Sequence, residues 1–377
     1  MEMRNMEKIG IDVSLLGFGC MRYPILSDGG INEPEAQKMI DRAYESGINY
    51  YDTAYPYHNG KSETFTGKAL KKYKRESFYL ATKLPVWNVK QLDDAKRLLD
   101  EQLKRLQMEY IDFYMFHALS KNTWEKMRDL GVVEYLQDMK KEGKIRNLGF
   151  SFHDSFEVFM DILNYTDWDF TQIQWNYMDV EYQAGIKGYE EATKRNIPVI
   201  VMEPIKGGSL ANLPEDVTAP LQALCPGDSN AKWALRWVGS YENVKVILSG
   251  MTTMEQVEDN LLTFHDFTAL SEEEKKAVVQ VSEALKNRVN NGCTACDYCM
   301  PCPVGVNIPQ NFKIWNDLGM YGEAGPAKGS WTIHFSDKQK AKNCVECGQC
   351  ESHCPQSIDI RGNLMQLQKE LDAIYIK

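Results

Sequence analysis

Eight of the ten cysteines in this chain fall in two C-terminal runs, Cys293-x2-Cys296-x2-Cys299-x2-Cys302-Pro303 and Cys344-x2-Cys347-x2-Cys350-x3-Cys354-Pro355. Thiolates separated by two residues can wrap one face of an iron–sulfide cubane, which a distant fourth thiolate then closes. The same thiols could instead form disulfides, or two zinc sites built from Cys-x2-Cys pairs. Disulfides belong to exported chains, and the first residues, MEMRNMEKIG, hold no apolar signal core. Zinc takes four ligands per site and leaves the third cysteine of each run and the Cys-Pro endings without a role. Iron–sulfur redox chemistry is therefore the expectation.

The second run resembles the bacterial ferredoxin spacing residue for residue. In two-cluster ferredoxins the fourth cysteine of each run serves the other cluster. That resemblance implies one [4Fe-4S] cluster on Cys293, Cys296, Cys299 and Cys354, and a second on Cys344, Cys347, Cys350 and Cys302. The first run departs from the pattern at its final gap, which is two residues and not three.

All of these cysteines lie beyond residue 290 of a 377-residue chain. The expected division is residues 1–290, enough for one α/β barrel of about 250 residues, and a ferredoxin-type domain over 291–377. Composition is globular, at 43% hydrophobic and 25% charged. A net charge of −10 without a Lys/Arg block argues against a nucleic-acid partner. No stretch approaches the ~20 apolar residues of a membrane span. A cytoplasmic location is expected, and it suits thiolate-ligated clusters. Residues 291–377 carry eight Lys and Arg against nine Asp and Glu, so they present no strongly acidic field to a basic partner.

Upstream, short apolar runs alternate with amphipathic stretches. The candidate strands are Leu16–Cys20, Asn49–Ala54, Phe78–Lys83, Ile111–His117, Arg146–Ser151, Phe170–Asn176, Pro198–Pro204 and Val244–Gly250. Between them, Glu33–Ser46, Gln91–Gln107, Thr123–Glu142 and Ser155–Tyr165 show helical spacing of apolar residues. Gly47 and Gly143 fall where helix C-caps favour glycine. Strands separated by helices pair in parallel with right-handed crossovers. The expectation is an α/β fold, a (β/α)8 TIM barrel followed by a small ferredoxin-like iron–sulfur domain. No G-x-G-x-x-G follows the first strand, which argues against a doubly wound dinucleotide fold.

Barrel chemistry sits at the C-terminal ends of the strands. Those ends deliver Asp52, Lys83 and His117, with Tyr57 on the loop after Asp52. Singly, Asp52 reads as a helix cap, Lys83 as a solvated strand end and His117 as a loop histidine. Together they suit carbonyl reduction, in which the oxygen must receive a proton from a general acid. A phenol of pKa about 10 is too weak an acid unless its phenolate is stabilised. Lys83 would supply that charge, Asp52 would hold Lys83, and His117 would orient the substrate oxygen.

At these residues the chain resembles the aldo-keto reductase superfamily. The carrying segments are Asp52-Thr-Ala-Tyr-Pro-Tyr57-x5-Glu63, Ala81-Thr82-Lys83, Ile111 to His117 and Lys144 to Ser151. The resemblance implies a tetrad of Asp52, Tyr57, Lys83 and His117 with Tyr57 as proton donor, Tyr55 being a nearby decoy. It implies an NADP or NAD cofactor across the barrel top. Ser151 and Gln174 would hold the carboxamide. Met202, Pro204, Lys206 and Gly207 would line the nicotinamide and pyrophosphate, and Gly250, Gln256 and Asn260 the adenosine end. Phe152 stands where a second carboxamide-binding asparagine is usual, and Met202 where many members place a stacking tyrosine. Gln256 and Gly250 stand where an arginine and a lysine usually grip the 2′-phosphate, which leaves NADP against NAD open.

The tail resembles the narrower set of these reductases that carry a ferredoxin-type domain. The expected function is reduction of an aldehyde or ketone, or the reverse, on a small-molecule substrate. The alternatives are an electron-transfer protein, whose clusters serve a partner or a flavin while the barrel is a docking scaffold, and a ligand-binding barrel without turnover. No motif supports flavin. Cys20 could line the barrel mouth, Cys225 reads as a structural thiol, and Trp87 could wall a substrate pocket. Substrate identity and oligomeric state are not encoded in any of these spacings.

Overall fold

The computed structural model describes residues 1–323 and 325–376. It divides into two compact units, Met1–Lys206 with Ala231–Leu270, and Gly207–Asn230 with Ser271–Lys377.

The first unit opens with a hairpin of β1 (Met3–Met6) and β2 (Ile11–Ser14), paired from Met3 opposite Ser14 to Met6 opposite Ile11. Eight parallel strands follow: β3 (Leu16–Gly19), β4 (Tyr50–Asp52), β5 (Tyr79–Leu84), β6 (Ile111–Leu119), β7 (Ile145–Phe152), β8 (Phe170–Gln174), β9 (Val199–Met202) and β10 (Val244–Gly250). They close into a barrel in which β10 pairs with β3. All eight expected strands are present. The opening hairpin was not anticipated.

Alternation along the strands explains the interior. Tyr50, Ala81, Phe113, Met115, Phe170, Ile200, Val246 and Leu248 face one another inside the barrel, and Met6 and Val13 of the hairpin join them. Each fully buried side chain of this size stabilises by about 1.5–3 kcal/mol. Packing is close enough to dictate a glycine. A Cβ on Gly149 would lie 2.5 Å from the Phe170 carbonyl oxygen and 2.8 Å from its ring. The expected helix over Thr123–Glu142 is two helices, Lys121–Asp129 and Val132–Lys141. Gly131 breaks it by taking the left-handed conformation at φ 70°, which glycine adopts without steric cost.

The second unit contains helices and turns but no strand among the described residues. Glu272–Lys286, started by a Ser271/Glu274 capping box, packs against Glu215–Leu224. Ile308–Tyr321 is capped by Asn307 and Ile360–Tyr375 by Asp359. These two helices bury Ile308, Phe312, Trp315, Leu364, Leu367 and Leu371 in a core that also holds Trp331. Six of the paired-run cysteines (Cys293, Cys299, Cys302, Cys344, Cys350 and Cys354) lie partly buried against that core. No helix of the described residues is long and apolar enough to cross a membrane.

Candidate active site and cluster sites

Asp52 ends β4 and Lys83 lies near the end of β5, so the barrel register brings the two together. Lys83 Nζ donates to Asp52 Oδ1 at 2.6 Å and to the Thr53 carbonyl at 2.8 Å. Both side chains are buried, so Lys83 is not a solvated strand end. Burial raises the pKa of Asp52, with Lys83 pulling the other way. Burial, the largest influence, also works against the Lys83 ammonium, but Asp52 and Tyr57 together outweigh it and Lys83 is raised. The ion pair is the better description, because the Thr53 carbonyl adds an acceptor that suits an ammonium.

Tyr57 is half-buried above this pair, with Lys83 Nζ 5.0 Å from the centre of its ring. Burial pushes the phenol pKa up and Lys83 offsets only part of that rise, so the phenol is not the strengthened acid expected from its neighbours in sequence. His117 meets Tyr57 edge-on at 6.0 Å between ring centres, and Trp87 approaches His117 at 4.9 Å. Burial, then Lys83 and His153, drives the His117 pKa well below its usual value, so the imidazole is neutral. Its Nδ1 is buried without a hydrogen-bond partner among the described residues. Tyr55 points elsewhere: its hydroxyl donates to Glu101 at 3.2 Å and its ring lies under Arg105.

A second layer was not singled out by role from the sequence. Gln102 donates to the Lys83 carbonyl at 3.0 Å and to Glu63 Oε1 at 2.6 Å, and it accepts from Tyr114 at 2.7 Å. Thr82 also donates to Glu63 Oε1, at 2.7 Å. Such a network holds the backbone of Lys83 fixed. Cys20 is fully buried at the end of the first barrel strand, and burial pushes its thiol up to about 12. It is no nucleophile. Cys225 is partly buried.

The residues expected to hold a nicotinamide cofactor fall into groups. Ser151 Oγ accepts from Ala118 N–H at 2.7 Å, where β6 bulges and Ala118 takes φ 54°. Ser151 thus braces the kink beside His117 and keeps a hydroxyl proton to donate. Gln174 donates to Asp179 at 2.9 Å, as Asn176 does at 3.1 Å, and Lys206 forms an ion pair with the same carboxylate. Asp179 is an organiser that sequence reasoning missed. Met202 accepts from Gln172 at 3.4 Å through its sulfur, and Pro204 is buried. Gly207 is left-handed, φ 64°, at the edge of the second unit. Asn260 donates to Ser249 at 2.9 Å, and Gln256 accepts from Thr252 N–H at 2.7 Å. A Cβ on Gly250 would meet Arg22 Cγ at 2.6 Å, so an arginine stem covers that position.

In the second unit the two cysteine runs repeat one backbone conformation. Ala295 and Asp297 in the first, and Glu346 and Gly348 in the second, are left-handed at matching positions around Cys296 and Cys347. Cys299, Cys302, Cys344, Cys347 and Cys350 line a cavity of about 340 Å³ with Arg361 and His353. Cys293, Cys296, Cys299 and Cys354 line a smaller one with Asp297, Ile308, Phe312 and Ile360. Among the described residues no three metal-binding side chains converge as they would on a single ion. The thiols ring cavities instead, each bordered by an apolar core, and that donor set fits an iron–sulfur cubane.

The family model described as "Aldo/keto reductase family" matches residues 15–283, and that described as "4Fe-4S dicluster domain" matches residues 292–358. L-galactose dehydrogenase of Arabidopsis thaliana is 26% identical over 316 residues, covering 76% of this chain and 96% of its own. The holo form of aldo-keto reductase AKR11C1 from Bacillus halodurans superposes with a TM-score of 0.63 at 27% identity, over 74% of this chain and 96% of that one. An aldo-keto reductase from Klebsiella pneumoniae in complex with NADPH gives a TM-score of 0.62 at 20% identity, over 75% of this chain and 96% of its own.

Proposed function

The chain belongs to the aldo/keto reductase family and carries a 4Fe-4S dicluster domain, and on that premise we propose that it interconverts a small carbonyl compound and its alcohol with NAD(P)H. In this reading residues 1–290 carry the hydride chemistry and residues 291–377 the clusters. The chemistry that bound NAD(P)H supplies is a hydride to the carbonyl carbon. The protein's part is the proton. Tyr57 gives it from its hydroxyl to the carbonyl oxygen, and Lys83 stabilises the phenolate left behind. Asp52 keeps Lys83 charged and fixed. Neutral His117 donates a hydrogen bond to the same oxygen without competing for the proton. Ser151 and Gln174 are the groups suited to hold the nicotinamide carboxamide.

In the second unit, Cys293, Cys296, Cys299 and Cys354 would hold one cluster and Cys302, Cys344, Cys347 and Cys350 the other. The chemistry such clusters supply is one-electron transfer.

The buried Lys83–Asp52 pair at 2.6 Å, with Tyr57 above it, is the observation that carries the reading. A binding module has no need of a desolvated ammonium–carboxylate pair. The test is oxidation of NADH and NADPH with a panel of aldehydes and ketones, for the native protein and Tyr57→Phe. The variant should lose about 10²–10⁴-fold in kcat while binding coenzyme normally. Equal rates in both proteins would remove Tyr57 as the acid.

A further inference from the structure

The two cysteine cavities share a backbone conformation but not an electrostatic environment. At the residue following the second cysteine of each run, one loop has Asp297 and the other Gly348, both left-handed. Asp297 borders the cavity of Cys293, Cys296, Cys299 and Cys354, and its charge reaches Cys293. On the other loop, a Cβ built on Gly348 would point at Arg361, whose Cζ lies 3.6 Å away. Arg361 borders the cavity of Cys302, Cys344, Cys347 and Cys350. Equivalent positions thus present a negative charge to one site and a positive charge to the other.

We propose that Asp297 and Arg361 make the two cluster sites unequal, so that the cluster on Cys302, Cys344, Cys347 and Cys350 has the higher reduction potential and takes the first electron. The inference rests on the assignment of the cysteines to clusters given above. Adding an electron adds one negative charge to a cluster, so a nearby cation favours reduction and a nearby anion opposes it. Enclosure acts in the same direction. Pro309, Phe312, Ile358 and Ile360 wall the cavity beside Asp297, and an apolar wall disfavours added charge. The other cavity is larger and has exposed Tyr298 and Val345 on its rim. Glu351 accepts from Arg361 Nε at 3.0 Å and pairs with Nη2 at 2.9 Å, and its charge reaches Cys350, so it offsets part of the Arg361 charge, whereas Asp297 forms no ion pair among the described residues. Backbone N–H groups reach sulfur in both sites, from Glu346 to Cys344 and from Ala295 to Cys293, so they do not separate the two.

The test is a potentiometric titration of the holoprotein with dithionite as the electron donor, followed by electron paramagnetic resonance. Arg361→Gln should lower the higher of two potentials by roughly tenfold in the one-electron equilibrium, about 59 mV, and leave the lower in place. Asp297→Asn should raise the lower potential alone, and Arg361→Lys should keep the native pattern. The native gap should narrow as ionic strength rises, because both charges are exposed. Full iron with both potentials unmoved by Arg361→Gln, or both variants acting on the same couple, would overturn the proposal. Loss of iron on Cys302→Ser or Cys354→Ser tests the cysteine assignment separately. Should Arg361→Gln assemble poorly, Asp297→Asn decides: a rise in the lower potential supports the inequality, and no shift refutes it.

Discussion

Lys83 Nζ sits 2.6 Å from Asp52 Oδ1, while Oδ2 of the same carboxylate is buried with no hydrogen-bond partner among the described residues. A half-satisfied buried carboxylate is costly, and attraction to the ammonium is what keeps it charged. Asp52→Asn would leave Lys83 buried without a counter-charge, at a cost of about 3–5 kcal/mol. Its thermal midpoint should fall and its kcat should drop about 10²-fold. The double variant Asp52→Leu/Lys83→Met removes both charges and should recover most of the stability but none of the activity. Thermal denaturation and steady-state rates read the two effects separately, and an active double variant would exclude the pair from catalysis.

The pH dependence of turnover follows from Tyr57. Burial, partly offset by Lys83, raises its pKa above the usual phenol value, so the donor keeps its proton through neutral and mildly alkaline pH. Carbonyl reduction should hold its rate until pH passes the ordinary phenol value of about 10. Alcohol oxidation needs the same oxygen as proton acceptor and should climb as the medium becomes alkaline. Initial rates in both directions with one alcohol–carbonyl pair check this. A reduction rate that falls between pH 7 and pH 9 would contradict it.

Stability should respond to acid through His117. Burial first, then Lys83 and His153, holds its pKa well below 6.5. The unfolded chain therefore binds a proton that the folded chain refuses, and stability falls as pH drops below the unfolded value of about 6.5. Burial lowers His58 and His153 in the same sense. The native thermal midpoint should be lower at pH 5 than at pH 7, and His117→Gln should lose less over that interval. Circular dichroism melts measure both. An equal loss in the variant would remove His117 as a contributor.

What could be read in the sequence was what repeats. The eight strands alternate with amphipathic helices, and their ends carry Asp52, Lys83 and His117. The opening hairpin was not readable, because MRNM and IDVS are short and mixed, and of their apolar residues Met6 and Val13 are the fully buried ones. Gln102 did leave a trace. It lies on the Ala95, Leu98, Leu99, Leu106 stripe of its helix, where a buried amide requires partners. Its partners Glu63, Thr82 and Tyr114 come from separate elements, so only the fold reveals them. Asp179 sits in a loop with no periodicity, and nothing local in sequence points to Lys206 as its partner.

Arg22 alters the expectation for the coenzyme. Gly250 and Gln256 lack the charges that the resemblance places at the 2′-phosphate, but the Arg22 stem covers Gly250. Its backbone carbonyl accepts from Thr252 Oγ1 at 3.0 Å, on the loop where Thr252 N–H engages Gln256. Among the described residues the Arg22 guanidinium forms no ion pair, and it is exposed. If that loop meets the adenosine end, Arg22 is a cation available to a 2′-phosphate. A charge-assisted contact is worth about 1.5–3 kcal/mol, so Arg22→Ala should raise KM for NADPH at least about tenfold. KM for NADH should change less than about twofold, and kcat should be unchanged with either. Added salt should weaken NADPH binding to the native protein more than to the variant. Gly250→Lys should not substitute for Arg22 unless the arginine stem is also removed, because the new Cβ would collide with it at 2.6 Å. Equal changes in KM for the two coenzymes in Arg22→Ala would show that the arginine does not read the 2′-phosphate.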